Sequence, residues 1–344
     1  MKKITRFIIP IGICSFLICL IIFSNSNIYA VKKGLNLWVN SVIPSLFPFF
    51  IASELLSYTQ VVPFLGRFLT RFMKPIFNVP GEGAFPFIMG IISGYPVGAK
   101  IVVNLKENNI CTREEAERLL AFTNNSGPLF IIGTVGICFF NNSIIGILLF
   151  VTHILACISV GYIFRFWKRK TNTGLSIDKK SIIKTQKQTF TLSNLGEILS
   201  KSIISSINTI LLIGGFIILF CVIISVLDKS HILNILGLIL KPLLSILNLD
   251  LSFQIPIITG IIELTTGCNL VSAICIKDIS QSIIVMAFLL GFGGISIFLQ
   301  VFGITSRHNI SIKPYILGKV LQGILAATYT LIAINMFPVL NFNF

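Results

Sequence analysis

Charge is scarce in this sequence. Asp, Glu, Lys and Arg make up 11% of its 344 residues, apolar types make up 54%, and the mean hydropathy is +0.92. Soluble domains carry about a quarter charged residues, so a water-facing shell around an apolar core is excluded and a membrane-embedded body is implied. No stretch is both long and polar enough to form a separate soluble domain. Enzyme signatures are missing too: there is no HExxH, GxSxG or Walker loop, and there are no paired intramembrane aspartates. The expectation is a protein without enzymatic activity.

Metal and redox signals are equally sparse. The eight cysteines, at 14, 19, 111, 138, 157, 221, 268 and 275, show no CxxC or other metal spacing. Most fall in apolar runs, where Cys behaves as a small hydrophobe. His153, His231 and His308 stand apart, with no ligand spacing and no nucleophile nearby, and read as incidental. No disulfide framework, metal site or cofactor is expected.

Apolar runs fill the space that charge leaves. Full-length spans read as Phe7 to Phe23, Leu35 to Leu56, Ile144 to Phe164, Ile203 to Leu227 and Tyr315 to Phe337. Between them lie Ala84 to Leu105, Glu114 to Phe140, Leu251 to Ile276 and Ser282 to Phe302, each interrupted by polar, Gly or Pro residues. The apolar run before each interruption is about ten residues, and at ~1.5 Å per residue that is half of a ~30 Å hydrocarbon core. A helix broken at that depth exposes backbone groups able to hold a polar solute.

The net charge of +15 does not point to nucleic acid, because the basic residues gather at the ends of apolar runs. They are Lys2, Lys3 and Arg6, then Arg67, Arg71 and Lys74, and a run from Arg165 to Lys201. This is a topology signal that keeps short basic loops cytoplasmic, and the same residues would touch anionic lipid headgroups. The N-terminal run is read as an uncleaved helix, because its apolar core is long for a signal peptide and Ile28-Tyr29-Ala30 is a weak cleavage site.

The two halves repeat. Pro86-x-x-x-Gly90-Ile91-Ile92 aligns with Pro256-x-x-x-Gly260-Ile261-Ile262, placing Ser93 opposite Glu263. Ala121-Phe122 then matches Ala287-Phe288, and Gly127-Pro128 matches Gly293-Gly294. The division reads as an N-terminal transmembrane helix over 1–30, a first repeat over 31–167, a basic cytoplasmic linker over 168–197 and a second repeat over 198–344. Phe64 to Phe77 and Ile232 to Leu247 are shorter apolar stretches suited to the interface plane. With the N-terminus and the linker both inside, an even number of crossings must separate five candidate segments, so one broken segment is re-entrant and the repeats are inverted. Lys32 and Lys33 run against that rule.

The breaks hold the candidate binding residues. At the first, Ser93, Gly94, Tyr95, Pro96 and Gly98 interrupt a helix, and the chain resuming at Ala99 offers free N–H groups to a carboxylate. Lys100 either completes that anion site or snorkels to the interface. At the second, Thr112 and Glu115 form a capping box for a helix leading to Thr123, Asn124, Asn125 and Ser126. Such a polar cluster serves either a solute or interhelical hydrogen bonds. At the third, Glu263 precedes Thr265, Thr266 and Asn269, and suits H⁺ coupling, Na⁺ coordination or a salt bridge to Lys100. At the fourth, Gly293 and Gly294 precede Ser296 and Gln300, the last a candidate donor to a bound carboxylate.

Asn40-Ser41-Val42-Ile43-Pro44-Ser45-Leu46-Phe47-Pro48-Phe49-Phe50, Phe77-Asn78-Val79-Pro80-Gly81, the Ser93 to Lys100 element and Ala121 to Phe130 together resemble the YlbJ-type sporulation integral membrane proteins, also called SpoVV. These carry the nucleoside-recognition or Gate domain. The resemblance covers nearly the whole chain, and is looser at Gly260 to Gly267 and Gly291 to Gly294. It implies a place in the mother-cell-derived outer forespore membrane of endospore formers and transport of dipicolinic acid, pyridine-2,6-dicarboxylate. The expectation is therefore an all-α polytopic membrane protein of two related, inverted Gate-type repeats with broken or re-entrant helices, carrying a small organic anion. A nucleoside or cation carrier of the same architecture and a non-transporting sporulation scaffold are the competing readings. The coupling ion (H⁺ or Na⁺) and oligomerisation stay open.

Overall fold

In a bilayer every backbone amide must be satisfied within the protein, so the apolar runs of this chain have one economical outcome, the helix. The computed structural model describes residues 2–59, 68–168, 194–274 and 279–336, and among them no strand is present. In chain order the helices are α1 (Lys2–Ile22), α2 (Ser24–Leu37), α3 (Ile43–Ser57), α4 (Phe68–Phe77), α5 (Ala84–Ser93), α6 (Val97–Glu107) and α7 (Arg113–Thr123). A π-helix (Leu129–Phe139) follows, then α8 (Ser143–Phe164), α9 (Leu195–Lys229), α10 (Ile232–Ile246), α11 (Gln254–Ile262), α12 (Leu264–Ser272), α13 (Ile279–Phe292), α14 (Ile295–Thr305) and α15 (Lys313–Met336).

Five stretches of the described residues are long and apolar enough to cross a membrane: Ser24–Leu56, Ser143–Phe164, Leu195–Lys229, Ile279–His308 and Lys313–Met336. A sixth arises if Phe68–Phe77 and Gly81–Ser93, bent by 105°, are taken as one span. One expectation changes: the second apolar span starts at Ser24 rather than Leu35. No proline interrupts Ser24 to Leu37, so α2 stays helical through Lys32 and Lys33 and runs by a π-turn (Trp38–Val42) into α3. Trp38 secures this span by donating its indole N–H to the Ile210 carbonyl at 3.1 Å, its ring lying over Gly214 of α9. The linker expected over 168–197 falls mostly outside the described residues, as do residues 64–67 of the expected interfacial stretch and Cys275.

The halves share one plan. A 3₁₀ turn (Gly81–Gly83) leads into α5, a break and α6; a second 3₁₀ turn (Leu251–Phe253) leads into α11, a break and α12. α7, a break and the π-helix then find their counterpart in α13, a break and α14, and α8 in α15. α6 packs on α14 and the π-helix packs on α12, so half-helices of one repeat rest on half-helices of the other. α15 is held between α13, α8 and α7 at the centre.

Local chemistry sets the helix ends. Thr112 accepts from the Glu115 N–H at 3.2 Å while Glu115 accepts from the Thr112 N–H at 2.8 Å, completing the capping box of α7. Gly90 and Gly98 lie so close to the Thr123 carbonyl that a Cβ at either would collide with it, which draws the α7 terminus against the first break.

Candidate functional site

All four helix breaks converge on one cleft. Gly94 (φ +75°, ψ −167°) and Gly294 (φ +89°, ψ 156°) occupy backbone regions that only glycine holds without strain, so the chain turns there without a side chain in the way. Gly94 lies against Gly127, and Gly294 against the Gly260 carbonyl and the Leu264 N–H. Gly293 meets the Tyr95 hydroxyl, which joins the breaks of the two repeats. The cleft has a cavity volume of about 80 Å³. Its polar wall is Ser93, Tyr95, Ser126, Glu263, Thr265, Ser296 and Gln300; its apolar wall includes Phe49, Phe50, Phe130 and Phe216.

Helix N-termini point partial positive charge into such a space. Those of α6 and α14 carry no side-chain cap. That of α12 is filled by Glu263, whose carboxylate accepts from the Thr265 N–H at 3.0 Å and the Thr266 N–H at 2.6 Å. A residue expected to hold a proton, Na⁺ or Lys100 is therefore the cap of its own half-helix. The buried Ser93 hydroxyl has no partner, and Ser126 lies beside the Tyr95 phenol.

Other expected residues sit elsewhere. Lys100 is exposed and is not among the residues lining the cleft: Gly98 and Ala99 face inward, and the next position of the helix turns out. Pro96 caps α6 after a cis Tyr95–Pro96 bond, and Gly98 packs on Thr123. Asn124 donates to the Tyr315 hydroxyl at 3.1 Å, and Asn125 lies behind the cleft wall. Thr266 lines a second cavity with Thr259, Cys221, Lys33 and Lys229, and Asn269 lines neither.

Behind Tyr95 is a buried cation absent from the expected set. Lys319 of α15 is fully buried, and its ammonium donates to Gln322 Oε1 at 2.8 Å, Asn125 Oδ1 at 3.2 Å and the Tyr95 hydroxyl at 3.5 Å. It lies over the Tyr95 and Tyr315 rings. Gln322 also donates to Asn125 Oδ1 at 2.9 Å and reaches His153 Nε2 at 3.3 Å, so His153 is not incidental. The signal was present in the sequence: a lysine in the middle of an apolar span marks a functional position by its cost. Among the described residues, no three His, Cys, Asp or Glu side chains gather to hold a metal ion.

The Gate family, whose description is nucleoside recognition, matches residues 39–165 and 210–307, and each block contains two of the four breaks. The chain is also 41% identical over 312 residues to the sporulation integral membrane protein YlbJ of Bacillus subtilis (strain 168), covering 88% of this chain and 76% of that protein. This chain belongs to the Gate family. It is an integral membrane Gate protein, as its apolar helices and its YlbJ relative require. No solved structure matches it. Within this Gate protein the matched blocks supply Ser93, Tyr95, Ser126 and Glu263, whereas α15, which carries Lys319, lies beyond them.

Proposed function

We propose that this Gate protein works in sporulation as a carrier, without catalysis, for a small organic anion, with pyridine-2,6-dicarboxylate as its substrate. The observation that carries the reading is the convergence of four broken helices on one cleft, two of whose half-helix N-termini carry no cap of their own. Carboxylates suit such termini, because unsatisfied N–H groups and the helix dipole both favour negative charge. Ser93, Ser126, Ser296 and Gln300 add neutral donors, and the phenyl rings of Phe49, Phe50, Phe130 and Phe216 suit a flat aromatic body. Lys319 supplies a cation just behind the wall. The name of the YlbJ relative supports the setting in sporulation, and its resemblance supports the outer forespore membrane.

The Gate description favours one second reading, a nucleoside, whose base would find the same aromatic wall. Uptake of labelled pyridine-2,6-dicarboxylate into proteoliposomes, with excess uridine as competitor, separates the two. The anion carrier gives saturable uptake that uridine leaves unchanged. Uptake of uridine, with none of the dicarboxylate, would replace it with the nucleoside carrier.

A further inference from the structure

The hydrogen bonds around Lys319 fix the state of each neighbour. Asn125 Nδ2 donates to the Phe122 carbonyl at 2.7 Å, an acceptor only, so Asn125 must turn Oδ1 toward Lys319. Asn125 Oδ1 also receives Gln322 Nε2, which leaves Gln322 Oε1 to accept from Lys319. The Gln322 amide N–H then meets His153 Nε2, so that nitrogen is an acceptor, the ring proton sits on Nδ1, and His153 is neutral. Cys157 donates its S–H to the Phe122 carbonyl at 2.9 Å and is neutral as well. Tyr95 and Tyr315 complete the surroundings. α13, which packs on α15, has no titratable side chain, and α7 carries its charges between Arg113 and Arg118. Among the described residues no carboxylate pairs with Lys319.

A buried ammonium with only neutral partners is costly. This cage, however, serves two protonation states. The two carbonyl oxygens accept two N–H groups in either state. The Tyr95 hydroxyl accepts from a third N–H of the ammonium, or donates to the lone pair of the amine. Tyr95 also lines the cleft, so a charge entering there faces Lys319 across one phenol ring. An anion in the cleft stabilises the ammonium more than the empty cleft does. Each ligand therefore raises the affinity for the other, as linkage demands.

We propose that Lys319 couples transport to protons, one proton being taken up on Nζ with each anion bound and released on the far side with it. This rests on the anion-carrier reading and assigns to α15 the coupling role that is one of the three sequence readings of Glu263.

The test uses the full-length protein in proteoliposomes with the membrane potential clamped at zero and the pH set at about 6.5 outside and 7.5 inside, where the probe's carboxyls stay ionised. Labelled pyridine-2,6-dicarboxylate should accumulate up to roughly tenfold for that one-unit gradient, the limit for one proton per anion, and a protonophore should abolish it. Saturable uptake indifferent to the gradient would overturn the coupling and leave the carrier standing. Absence of uptake in every gradient would overturn the carrier reading, and the coupling with it. Lys319→Arg, which keeps a permanent charge, should retain exchange of label at equal pH and lose gradient-driven accumulation. Accumulation by Lys319→Arg at the wild-type level would overturn the assignment to Lys319. Should that variant fail to fold, the wild-type gradient arm alone decides the coupling.

Discussion

Lys100 is the fourth residue of α6, two positions after Gly98, and at about 100° per residue it points roughly 200° away from the face that packs on Thr123. An exposed side chain there has no view of the cleft, so Lys100→Ala should leave dicarboxylate uptake unchanged, measured as initial rate per folded protein. A tenfold loss would return Lys100 to the site. Glu263 makes the opposite case: it lines the cleft, yet its charge is committed to the α12 N-terminus. Glu263→Gln keeps an acceptor for that terminus while removing a negative charge from the proposed anion site. Relief of even about 1 kcal/mol of repulsion should tighten dicarboxylate binding roughly fivefold, read by calorimetry in detergent. Loss of gradient-driven uptake in Glu263→Gln would place coupling on the carboxylate instead of Lys319.

At the scale of elements, α7 is held at its start by a buried hub. Glu117 accepts from Arg113 at 3.0 Å, Lys168 at 2.9 Å, the Trp167 indole at 3.0 Å and the Ser311 N–H at 3.2 Å, tying α7 to the end of the α8 segment and to the turn before α15. Glu117→Ala would leave a half-buried indole and the Ser311 backbone amide without their acceptor, at a cost of about 2 kcal/mol. Its thermal midpoint in detergent should fall by several degrees, while Lys100→Ala should keep the wild-type value; an unchanged midpoint for Glu117→Ala would show the hub to be dispensable. The elements themselves were largely legible before folding. Half-length apolar runs ending in polar, Gly or Pro residues located all four breaks, and Thr112 with Glu115 marked the start of α7. Helix phase was not legible at Lys100, because position after a break says nothing of which way the resumed helix faces. Lys319 escaped for another reason: one lysine barely lowers the hydropathy of a span, and its partners Asn125 and Tyr95 come from breaks some two hundred residues away in sequence. Glu117 escaped likewise, reading as one more polar residue in the first half of a capped helix.

On the scale of the whole molecule, α12 is a partition. Glu263, Leu264 and Thr265 line the central cleft, while Thr266, the next residue, lines the second cavity with Thr259, Lys33 and Lys229. One helical turn, held by a single carboxylate, thus separates two spaces: α3, the π-helix and α14 border the first, α2 and α11 border the second, and α9 runs along both. A carrier that alternates its access needs such a thin division, since moving a short half-helix exposes one space and closes the other. The same geometry predicts how reagents reach it. In a Cys221→Ser background, which removes the native thiol from the second cavity, Thr265→Cys and Thr266→Cys should react with a small methanethiosulfonate at different rates. Saturating dicarboxylate should slow labelling of Thr265→Cys at least several-fold, because the anion occupies the cleft it faces. Thr266→Cys should not be shielded by contact, and any change at that position would report movement of α12 itself. Equal protection of both thiols would mean that the two cavities form one continuous binding space and that the α12 turn divides nothing.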